Sequence, residues 1–353
     1  MSDIQSPTAV VPPALLFSPT PSQRSSMADF PTSRLPQYLF RVFSPASAGS
    51  TSATEILPHC MHKYKTTRQP RDVFATDPSA AAFMVERHLR WRRGHEHTCS
   101  LVSWTSSLLF ALQYGFYKAS KEKVDLSEVN LMVIDTAAFE PRQFIKDLDL
   151  LAAFEADDRV SEERRVELEG LWGLRTKKKA LNKLFYFGEY ISQGRMDVAG
   201  RCAVTDFGSM VQYGLFKVYP QLGDKSTWSS WANRVLALRR EFFEDSDGPE
   251  QTDRLVPSRL IKIAKKCFGG VWALPVAIMF LALKPRARDD SAILSCFGKQ
   301  FTLAQVEAWN EREITIVAER QPELEEFENL KHVIVNHIVD GGDILNALGN
   351  LAI

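Results

Sequence analysis

Residues 101–115, LVSWTSSLLFALQYG, place a cluster of hydroxyl side chains between two apolar segments. The first segment, LVSWT, is a short apolar run of strand length, and the second, SSLLFALQYG, continues as an apolar helix-like run. The sequence therefore predicts a strand that ends at Thr105 and a helix that begins directly after it. The hydroxyls at this junction either cap the helix or face a ligand.

Segments on both sides of this junction extend the strand and helix prediction. YLFRVFS (38–44), VNLMVIDT (129–136) and FYFGEYIS (185–192) are branched or aromatic runs of strand length. After about residue 220 the sequence changes to helical patterns, as in 227–243 and 302–321. The sequence therefore predicts a mixed α+β unit followed by an all-helical C-terminal part.

Composition divides the chain of 353 residues into three regions. Residues 1–34 are rich in Pro, Ser and Thr, and we expect a disordered tail there because few apolar groups can offset the ordering entropy. We predict an α+β domain at 35–222 and a helical region at 223–353.

Global charge and cysteine usage exclude several classes of protein. Lys plus Arg and Asp plus Glu each number 43 and the pI is near 7.1, so total charge gives no strong nucleic-acid signal. Five scattered cysteines and an N-terminus without a signal-peptide pattern indicate a cytoplasmic or nuclear protein. The apolar run 267–283 reads as a buried core helix, with a membrane segment as the less favoured alternative. P-loop, GxGxxG, GxSxG and HExxH motifs are absent from the sequence.

Three features combine into a candidate polar site. Arg41 lies mid-strand in LFRVF, the hydroxyls of Ser103 and its neighbours lie at the strand-to-helix junction, and Glu189 stands among aromatic residues. A buried arginine or glutamate needs a partner. Opposite charges on separate strands, with hydroxyls on a third, therefore indicate a polar cleft that splits a sheet, or else an Arg41–Glu189 ion pair that only fixes strand register.

The order Arg41, Ser103–Ser106, Glu189 resembles the R-S-E series of the ADP-ribosyltransferase superfamily across about residues 36–219. That resemblance implies a split, antiparallel-rich sheet with flanking helices. It also implies NAD+ as substrate, with Glu189 stabilising an oxocarbenium-like ribose, Arg41 holding a phosphate or ribose oxygen, and Ser103 orienting Glu189. The acceptor would be an unknown protein or small molecule, or water.

The same resemblance assigns further cofactor-binding positions. Thr105 and Ser106 lie at the start of the helix, where backbone donors could meet a phosphate. Trp104 and Tyr190 could stack on nicotinamide. The superfamily's acceptor-directing residue lies two positions before the glutamate, where this chain has Phe187. That departure argues against transfer to arginine and favours the alternative of a non-catalytic binding or regulatory module.

Whole segments also resemble an uncharacterised family of filamentous-fungal proteins that carry a domain of unknown function. The resemblance rests on LPQYLFRVFSP (35–45), SLVSWTSSLLFALQYGFY (100–117) and YFGEYISQGRMDVAGRC (186–202). It implies a fungal origin and supplies no activity.

HLRWRRGHEHTC (88–99) is a second dense cluster of polar residues. Trp91 between arginines could contact phosphate and bases, although a solvated helix end is the favoured interpretation. His95, His97 and Cys99 alternate and would share one face of a strand, but no fourth ligand follows at zinc-site spacing. We therefore predict no metal.

Overall fold

The sheet that carries the predicted site has six strands. The computed structural model describes residues 14–28, 30, 35–64, 70–92, 94, 97–176, 185–244, 251–310 and 321–350. Its strands are β1 (Tyr38–Phe43), β2 (Ser50–Thr51), β3 (Glu55–Leu57), β4 (Leu101–Thr105), β5 (Asn130–Asp135), β6 (Ile145–Lys146), β7 (Glu189–Gln193), β8 (Met196–Asp197) and β9 (Cys202–Asp206). The larger sheet has the order β6-β7-β4-β1-β5-β9, and its paired strands are all antiparallel. A smaller sheet has the order β2-β3-β8.

Helices flank the sheet and make up the C-terminal part. They are α1 (Pro21–Ser25), α2 (His59–His62), α3 (Pro78–Leu89), α4 (Leu108–Glu122), α5 (Asp147–Glu155), α6 (Glu162–Thr176), α7 (Phe207–Gln212), α8 (Leu215–Val218), α9 (Trp231–Glu244), α10 (Leu255–Cys267), α11 (Ala273–Leu281), α12 (Ser291–Gln300), α13 (Leu303–Asn310) and α14 (Pro322–Asn350). The mixed α+β architecture, the antiparallel sheet and the helical C-terminal region are confirmed.

The opening junction folds as the sequence predicts. β4 ends at Thr105 and α4 begins at Leu108, with Ser107 as N-cap: its hydroxyl accepts from the Phe110 backbone N–H at 3.1 Å. α4 ends where Lys123 adopts a left-handed backbone with φ of 57°. Between these caps, Leu112 and Phe116 are fully buried against the sheet and the C-terminal helices.

One hydrophobic core joins the two predicted units. It contains Phe40 of β1, Leu112 of α4 and, from the C-terminal helices, Ile278 and Phe297. The predicted boundary between residues 222 and 223 stays a prediction, since side chains from both sides of it share this core.

The segment predicted as a disordered tail differs from that prediction where it is described. Residues 1–13 lie outside the described part, but α1 begins with a capping box in which Thr20 and Gln23 exchange hydrogen bonds. Phe17 is fully buried and Met27 is 8% exposed, and both pack in a second core with α3 and α5. Two apolar anchors and a good cap thus order a segment that composition alone assigns to disorder.

The apolar run 267–283 is a core element only in its second part, and it is not one helix. Cys267 ends α10, Gly269 has a φ of 64°, and Val271 before α11 is 72% exposed. All nine residues of α11 are buried, and the helix packs against α10 and α14 within the main core. No helix in the described residues combines the length and the apolar character that a membrane crossing requires.

Candidate functional site

The candidate site lies where β1 separates from β4. β1 pairs with β5 along all six of its residues, whereas its pairing with β4 is through Phe40 and Thr105. A cavity of about 1250 Å³ opens in this region, and Arg41, Ser103 and Glu189 all line it. The split sheet thus gives the three sequence-predicted residues one shared cavity.

Strand register decides which side chains meet there. Thr105 lies opposite Glu189, and Ser103 lies opposite Ile191, so Ser103 and Glu189 are diagonal neighbours on one face of the β4–β7 pair. The Ser103 hydroxyl donates to Glu189 Oε1 at 2.9 Å. The same hydroxyl oxygen lies 2.9 Å from His88 Nε2. Because its proton is given to Glu189, this second hydrogen bond is donated by the imidazole.

Arg41 reaches the cavity from the other face of the sheet. Phe40 pairs with Thr105, so Arg41 leaves β1 on the face opposite to Ser103. The parting of β1 from β4 gives its guanidinium room to approach: Nη1 donates to the backbone carbonyl of Ser103 at 2.9 Å, and Nε donates to Thr51 Oγ1 at 3.1 Å. Among the residues that the structure describes, Arg41 has no carboxylate partner. An Arg41–Glu189 ion pair is therefore not what fixes this register.

The charge of Arg41 survives its burial. Burial lowers the pKa of this guanidinium to about 10, and the nearby Tyr114 partly opposes the shift. The side chain is still cationic at neutral pH. Burial also raises the pKa of Tyr114 to about 12, so the phenol stays neutral. An unpaired cation in a low-dielectric cavity attracts anions more strongly than one in water.

Glu189 has an arginine partner that the sequence did not reveal. Arg175, at the end of α6, places Nη2 at 2.5 Å from Glu189 Oε2 and also pairs through Nε with Asp147. Burial raises the pKa of Asp147 to about 6, although Arg175 opposes the shift. Both carboxylate oxygens of Glu189 are thus engaged, one by Ser103 and the other by Arg175. α6 is charged and amphipathic, and no motif in its sequence marks Arg175 for this role.

Of the remaining predicted residues, Trp104 and Thr105 also line the cavity, whereas Ser106 and Tyr190 do not. Trp104 and Tyr190 form a cross-strand pair on the face opposite to Ser103 and Glu189, and each is 2% exposed. Trp104 Nε1 donates to Ser192 Oγ at 2.9 Å within that packing. The sequence LVSWT already indicates this separation. Successive side chains of a strand point to opposite faces, so Ser103 and Thr105 point away from Trp104.

Thr105 and Ser106 serve the junction itself. The Thr105 hydroxyl donates to the carbonyl of Phe187 at 2.6 Å and accepts from the Ser107 backbone N–H at 3.1 Å. The Ser106 N–H donates to the Gly188 carbonyl, and its buried side chain contacts Gln321 at the start of the C-terminal helix. The backbone N–H groups of Ser106, Ser107 and Phe110 therefore have acceptors within the chain.

Aromatic side chains from distant parts of the chain form one wall of the cavity. This aromatic wall consists of Trp91, Phe110, Tyr114, Phe187 and Trp231. The rings of Phe110 and Phe187 stack at 4.9 Å, and Phe187 and Trp231 have centroids 5.4 Å apart. Trp91 lies 5.1 Å from Tyr114 and 5.5 Å from Trp231. Trp231 belongs to the C-terminal helices, so sequence order gave no reason to place it here.

The predicted absence of a metal is tested only in part. His95 lies outside the described residues, while Cys99 is buried with its sulfur 3.2 Å from His88 Nδ1. Within the described residues, no group of three or more His, Cys, Asp or Glu side chains is placed to hold a metal ion.

Comparison with known proteins identifies one region. Residues 34–168 match the family model of a domain of unknown function, DUF7587. The match spans the strands that carry Arg41 and Ser103 and ends before Arg175 and Glu189. No curated protein matches the chain, and no solved structure does.

Proposed function

We propose that the chain binds NAD+ in this cavity and transfers its ADP-ribose group to an acceptor or to water. The observation that carries the proposal is the hydrogen bond from Ser103 to Glu189 in a cavity that Arg41 also lines. A carboxylate held in a fixed position can stabilise positive charge that develops on a sugar ring. The acceptor and a cytoplasmic or nuclear location stay predictions.

The reaction requires a specific role from each of these residues. The bond between the nicotinamide nitrogen and ribose C1′ breaks, its electron pair leaves with nicotinamide, and the ribose gains oxocarbenium character. Glu189 stabilises that charge, and Ser103 holds one carboxylate oxygen in place. The nucleophile then forms a bond to C1′ and gives up its proton to water. Arg41 holds a phosphate oxygen by charge-assisted hydrogen bonds.

The cavity lining fits an anionic substrate. Six cationic side chains line it, and Glu189 is the only carboxylate among its described lining residues. The cations are Arg41, Lys63, Arg90, Arg92, Lys118 and Arg175. Glu86, Glu122 and Asp147 pair with four of them from behind the wall, which leaves the surface of the cavity positive.

Nicotinamide release and label transfer test the proposal. The chain of 353 residues is incubated with NAD+ labelled in either the nicotinamide or the adenine moiety, alone and with a cell extract as a source of acceptors. Glu189→Gln is expected to lower the rate about 100-fold or more, in the range found for lost electrostatic stabilisation. Glu140→Gln, which changes an exposed carboxylate outside the cavity, serves as the control. Equal rates in wild type and Glu189→Gln would refute a catalytic role.

A non-catalytic binding module is the second candidate, and the Arg175–Glu189 contact favours it. An arginine at 2.5 Å occupies the carboxylate oxygen that a ribose hydroxyl would need. This candidate predicts saturable binding of a nucleotide without nicotinamide release, in wild type and in Glu189→Gln alike. Calorimetry on the same samples as the release assay distinguishes the two.

A further inference from the structure

Trp91 carries a half-exposed ring just after the end of α3. Its backbone φ of 54° belongs to the helix C-terminus, where the Trp91 N–H donates to the His88 carbonyl and the Arg92 N–H donates to the Arg87 carbonyl. The indole is 49% exposed although it stands at the end of the aromatic wall. The end of α3 thus leaves much of the Trp91 π surface open to a ligand.

Arginines precede and follow Trp91 in the chain, and both pair with the same glutamate. Arg90 Nε lies 2.8 Å and Arg92 Nη1 3.1 Å from the same oxygen of the buried Glu86. Two guanidinium groups share one carboxylate, so the group around Trp91 keeps a net positive charge. Arg92 is 49% exposed, which leaves its remaining donors accessible. An aromatic platform between cations recognises a base together with its phosphate.

The size of the cavity leaves room for this second ligand. Pockets that hold one small ligand are about 300–1,000 Å³. The cavity here measures about 1250 Å³ and extends from Arg41 and Glu189 to Trp91 and Trp231. Its polar end and its aromatic end can therefore be filled by different molecules.

We propose that the aromatic wall is an acceptor subsite for a nucleotide, whose base stacks on Trp91 and whose phosphate contacts Arg92. This inference rests on the proposed function and names the acceptor class. A ring nitrogen or exocyclic amine of the base attacks ribose C1′ as the electron pair of the broken bond leaves with nicotinamide, and the amine proton passes to water. Phe187, which lines the cavity two residues before Glu189, stacks on Phe110 and gives this wall an apolar side chain in place of a charged group.

Two sources can supply this chemistry, a free nucleotide or a base in single-stranded nucleic acid. We test both with fluorescein-labelled mixed-sequence RNA and DNA oligonucleotides of eight bases, and with unlabelled mononucleotides as competitors, by fluorescence anisotropy at low salt. Competition by mononucleotides at the oligonucleotide's own affinity identifies free nucleotides. Tighter oligonucleotide binding with a steep salt dependence identifies single strands. Either result upholds the subsite.

Variants of the aromatic wall assign the binding to it. Trp91→Ala is expected to weaken binding about 5- to 150-fold, the range for loss of one base stack, and Trp91→Phe to restore most of it. Arg92→Gln is expected to reduce the slope of log K against log salt by about one. Phe243→Ala, which removes a 77%-exposed ring outside the cavity, is the control and leaves binding unchanged. Circular dichroism of each variant checks that the fold is intact.

Three outcomes overturn the subsite: no saturable binding, equal affinity in wild type and Trp91→Ala, or displacement of the oligonucleotide by saturating NAD+. The last would mean that the wall belongs to the NAD+ site itself. Failure of the proposed function is separate from these. It appears as an absence of nicotinamide release in a protein whose oligonucleotide binding still depends on Trp91.

Discussion

The Ser103 hydroxyl donates a 2.9 Å hydrogen bond to Glu189 Oε1 across the β4–β7 pair, and His88 approaches the same hydroxyl oxygen from α3. Ser103 is therefore a positioning residue, because it acts on a substrate only through Glu189. A fixed carboxylate stabilises a developing charge better than one that must reorganise.

Ser103→Ala removes that constraint and is expected to lower kcat for nicotinamide release about 10- to 100-fold while KM changes little. Ser103→Thr keeps a hydroxyl and is expected to recover part of the loss. Steady-state kinetics on both variants give the measurement. A rise in KM at constant kcat would assign Ser103 to ground-state binding instead.

Gly188, directly before Glu189, is required by two separate constraints. Its φ is 64°, and a Cβ placed on it would lie 2.1 Å from Ser106 Oγ. Gly188→Ala is therefore expected to lower the free energy of unfolding by about 1–2 kcal/mol for the backbone and by a further 1–3 kcal/mol for the overlap. Gly200 has a φ of 71° with open space around it, so Gly200→Ala isolates the backbone term. Urea unfolding that gives both variants the same loss would contradict the packing argument.

A buried ion pair between Arg239 of α9 and Glu323 of α14 joins the C-terminal helix to the start of α4. Arg239 donates to Glu323 at 2.6 Å and to the Tyr186 carbonyl at 2.6 Å, and Glu323 accepts from the Ser107 hydroxyl at 2.5 Å. Arg239 is 6% exposed and Glu323 is 3% exposed. Arg239→Met leaves a buried carboxylate unpaired and is expected to cost about 3–5 kcal/mol of unfolding free energy.

The half-exposed pair of Lys284 and Glu241 provides a matched control, since Lys284→Met should cost at most about 1 kcal/mol. Adding Glu323→Leu to Arg239→Met should return part of the lost stability, because it removes the unpaired charge. If the losses of unfolding free energy caused by Arg239→Met and by Glu323→Leu add in the double variant, the two side chains do not interact.

Asp147 makes stability depend on pH. Burial raises its pKa to about 6, above the value of about 3.9 for an unfolded aspartate. Between these values the folded protein holds the proton more tightly, so the contribution of Asp147 to stability is fully present below pH about 4 and is lost as the pH rises through about 6. The unfolding free energy of wild type minus that of Asp147→Asn should therefore decrease from pH 4.5 to pH 7.

Urea titrations at several pH values measure that difference. Asp158→Asn changes an exposed carboxylate in the loop between α5 and α6 and is the reference variant. A difference between wild type and Asp147→Asn that does not vary with pH would mean that Arg175 keeps Asp147 ionised throughout this range.

Local pattern was sufficient for the elements that carry the site. β-Prone runs predicted the strands of Arg41, Ser103 and Glu189, and the hydroxyl cluster predicted the start of α4. Apolar repeats predicted the helical C-terminal region. Such features depend on residues a few positions apart, and a period or a cap records them directly in the sequence.

The alternation of side chains along a strand also predicts which site residues share one face of the sheet. LVSWT places Trp104 opposite to Ser103 and Thr105, so a stacking role for Trp104 beside Ser103 conflicts with the pleat. Phe17 and Met27 are a contrasting case. Their burial depends on partners in α3 and α5, and the composition of residues 1–34 does not report those partners.

By itself, the sequence determined the strand-to-helix junction at LVSWTSS and the order in which an arginine, a hydroxyl and a carboxylate follow one another. Tertiary structure alone decided that β1 parts from β4, that Arg175 engages Glu189, and that Trp231 closes an aromatic wall with Trp91. These relationships join residues far apart in the chain. Their free energy comes from packing and charge pairing that exist only once the core has formed, so no local period or spacing can encode them.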